Sequence, residues 1–172
     1  MREEFQYYDL IILGAGITGL SIARQQLIND PACKILIIEK ERTVGMHASG
    51  RNSGVLHSGI YYPSNTLKAK FCSEGRKLME KYCQEYSLPI QKCGKVIVPE
   101  TQDQDEILDI LHKRSKLNGA KTLIISEDEL KKVEPEVYSI SSRALYSPQT
   151  SVVDPDVILK NLVANLLNKN VE

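Results

Sequence analysis

The chain carries no net charge. Its 172 residues hold 22 basic and 22 acidic side chains, so no long-range field draws it to nucleic acid or to an anionic membrane. A ligand has to be recognised by local contacts. Cysteine is scarce and badly spaced for metal or redox work: Cys33, Cys72, Cys83 and Cys93 lie 39, 11 and 10 positions apart, with no Cys-x-x-Cys pair among them. They read as reduced thiols of a cytoplasmic protein. Histidine is scarcer still, and His47, His57 and His112 are not spaced with carboxylates as metal ligands are, so no metal centre is expected. The longest mostly apolar run, residues 10–23, is broken by three glycines and falls short of the ~20 residues that span a bilayer. Met1-Arg2-Glu3-Glu4 is acidic and lacks the cationic and apolar regions of a secretory signal. Repeats, low-complexity tracts and charged tails are also missing.

What is present is a regular alternation of strand and helix signals. Residues 8–13 form an isoleucine-rich run that stops at a glycine turn, the pattern of a buried parallel strand. Residues 17–29 read as a helix with Leu20, Ala23 and Leu27 on one face, ended by Asn29-Asp30-Pro31. A second strand follows at 34–38, completing a strand-helix-strand unit with a right-handed crossover. A helix is expected over 67–86, with Phe71, Leu78, Met79, Tyr82 and Tyr86 on its apolar side packing on the strand-helix-strand domain. Short strands at 95–98, 122–125 and 144–146 alternate with helices near 104–117 and 128–133, the latter opened by a Ser126–Glu129 capping box. Asp154-Pro155 opens a long buried helix, after which Val171-Glu172 reads as the start of another strand.

Between the first strand and helix lies Gly14-Ala15-Gly16-Ile17-Thr18-Gly19, a GxGxxG set in the context that gives this otherwise weak motif its meaning. Gly14 permits the turn, Gly16 lets a pyrophosphate approach the backbone, and Gly19 lets the helix pack on the strand. The helix N-terminus, with the amides around Ile17 and Thr18, faces the anion. Glu39, 20 residues after Gly19 at the end of the second strand, is placed to accept hydrogen bonds from adenosine ribose hydroxyls and to repel a 2′-phosphate. FAD and NAD share this ADP moiety. The long polar segment 47–63 that follows, in place of a short loop into the next crossover, favours a large ligand such as FAD.

The run HASGRNSGVLHSGIYYPSNTLKAKFCSEG, residues 47–75, resembles the signature of FAD-dependent oxidoreductases of the D-amino-acid oxidase type, and within them the L-2-hydroxyglutarate oxidase/dehydrogenase family. Gly94-Lys95-Val96, Ser147-Pro148-Gln149-Thr150 and Val153-Asp154-Pro155 extend the likeness over nearly the whole chain. The resemblance implies an enzyme that oxidises a 2-hydroxy acid to a 2-oxo acid by hydride transfer to the flavin N5, passing electrons to a quinone or to oxygen. It also implies that Glu39 and Lys40 contact the adenosine side, that Ser49, Arg51, Asn52 and Ser53 lie along the pyrophosphate and flavin, and that His57 and Ser58 approach the isoalloxazine.

His57 is the one candidate for the chemistry, as the base that accepts the substrate hydroxyl proton, with a purely loop-orienting histidine as the alternative. His47 is either a surface or pyrophosphate-side residue or an attachment point for a covalent flavin. Tyr61 and Tyr62 line the substrate pocket or only pack. His112, beside Lys113 and Arg114, reads as a solvated helix face. The expected fold is α/β: a Rossmann-type FAD-binding unit over 1–89, part of a strand-containing substrate lobe over 90–150, and a return helix over 151–172, with the C-terminal half of the fold absent. Two other readings stay open. One is a flavoenzyme like glycerol-3-phosphate dehydrogenase, and the other a non-catalytic flavin-binding piece completed by a second polypeptide. Peripheral contact with the inner face of a membrane is also left open.

Overall fold

The structure, a computed structural model, describes residues 6–169 together with 171 and 172. The acidic N-terminal tetrapeptide and Asn170 lie outside the described residues. In chain order the elements begin β1 (Leu10–Leu13), α1 (Ile17–Asn29), β2 (Ile35–Ile38), β3 (Val55–Leu56), α2 (Leu67–Glu85), β4 (Ile90–Gln91) and β5 (Lys95–Ile97). They continue with a 3₁₀ turn (Gln102–Gln104), α3 (Asp105–Leu117), β6 (Leu123–Ser126), α4 (Glu127–Val133), β7 (Arg143–Ser147), β8 (Ser151–Val153) and α5 (Pro155–Leu167). The chain divides by its internal contacts into two units, Met1–Gly54 with Asp154–Glu172, and Val55–Val153.

In the first unit β1 and β2 pair in parallel, Leu10 opposite Ile35 through Leu13 opposite Ile38. A parallel pair needs a crossover, and α1 supplies it, burying Gly19, Leu20, Ala23 and Leu27. These positions recur at one-turn spacing, so one stripe of the helix is apolar. Helix α5 packs against α1 with Ile158, Leu159, Leu162 and Leu166 buried. Each such side chain contributes about 1.5–3 kcal/mol of burial. Asp154 caps α5 by accepting the amides of Asp156 (2.9 Å) and Val157 (3.3 Å), with Pro155 at the first helical position, where its missing N–H costs nothing. Beyond α5, Val171 pairs in parallel with Ile35, and the Ile37 amide donates to the Glu172 carbonyl at 2.8 Å. The strand expected at 171–172 therefore begins alongside β2.

The second unit is antiparallel. One sheet has the order β3-β8-β4 and the other β5-β7-β6. Ile60, Leu108, Leu111 and Leu145 form one buried cluster, and Ile125, Leu130 and Ala144 another. The capping box of α4 is present, with Ser126 and Glu129 exchanging hydrogen bonds.

By internal contacts α2 groups with the second unit, as β3 and β4, which flank it, pair with opposite edges of β8. Two expectations are corrected. Helix α2 buries only part of the expected face: Tyr82 is buried, but Phe71 and Leu78 are 62% and 68% exposed, and Ala69, Arg76 and Cys83 are buried instead. The inward stripe runs through positions 69, 72, 76 and 83, where small residues allow close packing and Arg76 pairs with Glu80 one turn on. Hydrophobicity alone hides a stripe that contains an arginine. His112 is no solvated residue either. It is half-buried, and its Nδ1 shares a 2.8 Å hydrogen bond with Thr122 Oγ1. Desolvation, followed by the Lys116 charge, pushes its pKa down.

Candidate functional site

At the end of β1 the backbone turns through Gly14 at φ +101°, a left-handed conformation that glycine adopts without strain. Its amide donates to the Ile38 carbonyl at 2.8 Å, which pins the turn to β2. A Cβ on Gly14 would meet nothing within 4 Å, so the space before the turn is open. Gly19 is the opposite case: a Cβ there would overlap the Gly14 carbonyl oxygen and stand 3.1 Å from Ile12 Cγ2. Only glycine lets α1 come this close to β1.

Helix geometry leaves the first-turn amides of α1 without helical acceptors. The N-cap, Gly16, has no side chain to offer them. Ser49, from the loop after β2, stands in and accepts the Ile17 amide at 3.0 Å. The amides of Gly16 and Thr18 have no acceptor among the described residues, and the positive end of the helix dipole lies behind them. Glu39 closes the turn from β2: Oε2 accepts the Ala15 amide at 2.7 Å and Oε1 the Glu41 amide at 3.0 Å. Those backbone donors, Glu41 first and then Ala15, hold its carboxyl below the ordinary range, so it is ionised at neutral pH. Each oxygen keeps a second lone-pair site for a hydroxyl donor.

Gly14, Gly16, Glu39, Lys40, His47 and Ser49 line one cleft of about 490 Å³, a volume in the range of small-molecule sites. The open glycine turn, the spare amides and the ionised acid fit the phosphates and ribose of an ADP moiety. Lys40 and His47 both reach Glu41, at 3.7 Å and 2.8 Å, so the His47 Nε2 is engaged there. Asn52 folds back on its own loop. Its Nδ2 donates to the carbonyls of Ala48 (3.1 Å) and Ser49 (2.8 Å), and its Oδ1 accepts the Gly54 amide at 2.9 Å. Thr18, Arg51 and Ser53 are exposed. Sequence reading did not foresee Gly45 in this role: a Cβ there would overlap Leu159 Cδ1, so this glycine lets the loop rest on α5.

His57 and Ser58 belong to the second unit, directly after β3. The Ser58 side chain is buried and meets Ser147 Oγ at 3.2 Å, with Thr150 donating to the same oxygen at 3.1 Å. Any outward contact from Ser58 is therefore by its backbone. The His57 ring meets Tyr61 edge-on, with centroids 6.3 Å apart. Partial burial, and then the Lys95 charge, hold its pKa below the ordinary imidazole value, so it is neutral at pH 7 and able to accept a proton. The turn 59–62 that carries Tyr61 is fastened by the end of α3. Asn118 Nδ2 donates to the carbonyls of Gly59 (2.6 Å) and Tyr62 (2.8 Å), and Arg114 Nη1 to that of Tyr61 (2.6 Å). Neither residue carries a motif, and their partners lie more than 50 positions away.

Comparison with known proteins agrees with this reading of the turn. A family model described as FAD dependent oxidoreductase matches residues 9–172. L-2-hydroxyglutarate dehydrogenase, mitochondrial, of Nematostella vectensis is 41% identical over 150 residues, which cover 87% of this chain and 32% of that protein. The Indibacter alkaliphilus L-2-hydroxyglutarate dehydrogenase is 40% identical over 148 residues, 86% of this chain and 37% of its own length. The chain thus spans about a third of the length of these relatives. Among solved structures, the FAD-bound L-alpha-glycerophosphate oxidase of Mycoplasma pneumoniae superposes with a TM-score of 0.87 at 26% identity, over 98% of this chain and 44% of that one. Glycine oxidase of Geobacillus kaustophilus superposes with a TM-score of 0.84 at 19% identity over 96% of this chain and 45% of its own, a likeness of fold. With a strand, a glycine turn and an acid whose geometry fits ADP, and with the family model matching from Asp9 onward, the chain belongs to the FAD-dependent oxidoreductases and its cofactor is FAD.

Proposed function

We propose that this protein serves the oxidation of L-2-hydroxyglutarate to 2-oxoglutarate. The observation that carries the reading is the set of relatives near 40% identity over 86% or more of the chain, each named an L-2-hydroxyglutarate dehydrogenase. FAD, when bound, supplies a two-electron acceptor for the C2 carbinol. The chain's own residues bind, orient and move a proton. Gly14 and Gly19 shape the turn, with the Ile17 amide held by Ser49, and the spare amides of Gly16 and Thr18 take the pyrophosphate, while Glu39 and Lys40 serve the adenosine side. Ser49, Arg51, Asn52, Ser53 and the Ser58 backbone shape the loops against the rest of the cofactor. Oxidation of a carbinol releases its hydroxyl proton, and the neutral His57 imidazole accepts it at a ring nitrogen. A quinone or oxygen takes the electrons onward. The four free thiols suit a reducing, cytoplasmic compartment, and no helix among the described residues is long and apolar enough to cross a membrane.

A second reading, oxidation of a glycerol phosphate ester at the same kind of carbinol, is favoured by the 26% identity and 0.87 TM-score to the glycerophosphate oxidase. Anaerobic titration of the flavin-loaded protein separates the two. L-2-hydroxyglutarate is expected to bleach the visible flavin band, with glycerol 3-phosphate inert. Bleaching by glycerol 3-phosphate alone would move the assignment to the second reading, and bleaching by neither would sink both.

A further inference from the structure

Two lysines among the described residues are half-buried, Lys95 and Lys131. Burial of an ammonium group costs free energy unless acceptors replace its water. Lys131 has such an acceptor: its Nζ donates to the Pro135 carbonyl at 2.9 Å and lies over the Tyr138 ring. Lys95 has none. No carboxylate or carbonyl among the described residues accepts from its Nζ, which stands 4.7 Å from the centroid of the Tyr61 ring. That aromatic face attracts the cation without accepting a hydrogen bond from its three N–H donors. The same tyrosine meets the ring of His57, the candidate base. Lys95 starts β5 opposite Ser147 of β7, and Tyr61 is held from α3 through Arg114. Both residues thus stand on fixed supports, and the ammonium is held over one aromatic face.

We infer that Lys95 is an oxyanion-binding residue of the substrate site, which takes a carboxylate of a hydroxy-dicarboxylic acid while Tyr61 walls the pocket between it and His57. The inference rests on the proposed oxidation of a hydroxy acid and adds a residue that sets specificity. A lysine suits the task as a point charge with rotatable donors. Tyr61 orients it without neutralising it, as a carboxylate neighbour would. The charge of Lys95 also favours the neutral form of His57, so the residue that holds the anion keeps the base ready.

The test uses the flavin-loaded protein and glutarate, a dicarboxylate with no hydroxyl to oxidise. Calorimetric titration is expected to show glutarate binding weakened about tenfold by Lys95→Met and largely retained by Lys95→Arg. With L-2-hydroxyglutarate, Lys95→Met is expected to raise KM about tenfold with a smaller fall in kcat, the signature of mainly lost ground-state binding. Equal glutarate affinity in Lys95→Met and wild type overturns the inference, as does failure of the wild type to bind glutarate. Tighter, Lys95-dependent binding of inorganic phosphate would also overturn it, in favour of a phosphate ester. In case the methionine variant loses its fold, reductive methylation of the wild type followed by mass spectrometry gives an independent answer: glutarate must protect Lys95, and an unprotected Lys95 refutes the assignment. If glutarate binds through Lys95 but L-2-hydroxyglutarate leaves the flavin oxidised, the oxidation reading falls and the anion site stands.

Discussion

In the unit of Met1–Gly54 and Asp154–Glu172, the groups offered to a ligand are mainly backbone: a glycine turn, spare helix amides and one acid fastened by two amides. In the unit of Val55–Val153 the proposed groups are side chains, His57 after β3, Lys95 on β5 and Tyr61 on a turn that other side chains tie down. A backbone site depends on the absence of side-chain atoms, so its weak points are glycines and it tolerates no additions. A side-chain site depends on distant partners and tolerates change until one of those partners is lost.

The sharpest break in the comparison comes from Gly19→Ala. The new methyl would overlap a main-chain oxygen that has nowhere to go, and the expected loss is about 3 kcal/mol, at the upper end of overpacking costs, with FAD binding abolished. Urea unfolding and flavin retention on gel filtration read both. Next is Asn118→Ala, which strips the donors from the Gly59 and Tyr62 carbonyls. It should cost about 1–3 kcal/mol and raise KM, while flavin affinity, which the proposed contacts place mainly in the first unit, falls much less. Equal damage to flavin affinity would show that the two kinds of site are not separable.

The smallest effect is a pH dependence carried by Glu39. Its folded pKa lies below the unfolded value, so the stabilisation is fully present above the unfolded value and is lost as pH falls through the folded one. Wild-type urea midpoints should therefore decline from pH 5 towards pH 3, and Glu39→Gln should flatten that slope without removing it, because Glu129 is shifted in the same direction. An unchanged slope would mean that the two amides do not favour the charged acid.

The nucleotide unit was legible because its determinants are local. The bounds of α1, the glycine set and the acid at the end of β2 follow from contiguous residues, as do the caps of α4 and α5. Strands β3, β4 and β8 were invisible, since they are two or three residues long and exist only by pairing across roughly 60 to 100 positions of sequence. The buried stripe of α2 was misread because Arg76 lies in it. Asn118 and Arg114 act through side-chain bonds to carbonyls, for which no residue pattern exists. The candidate site was thus legible where backbone geometry defines it and hidden where tertiary contacts do.

The nucleotide unit is discontinuous: α1 ends at Asn29 and the helix that covers it starts at Pro155. On a ribosome adding about 5–20 residues per second, that interval lasts on the order of ten seconds. Throughout it Leu20, Ala23 and Leu27 lack their cover from α5, while the segment 55–153 emerges whole and can close its antiparallel sheets. Synthesis therefore favours a folding order opposite to the order of the chain, with the second unit first. Until α5 emerges the nascent nucleotide unit carries a bare apolar helix face, the kind of surface that invites aggregation.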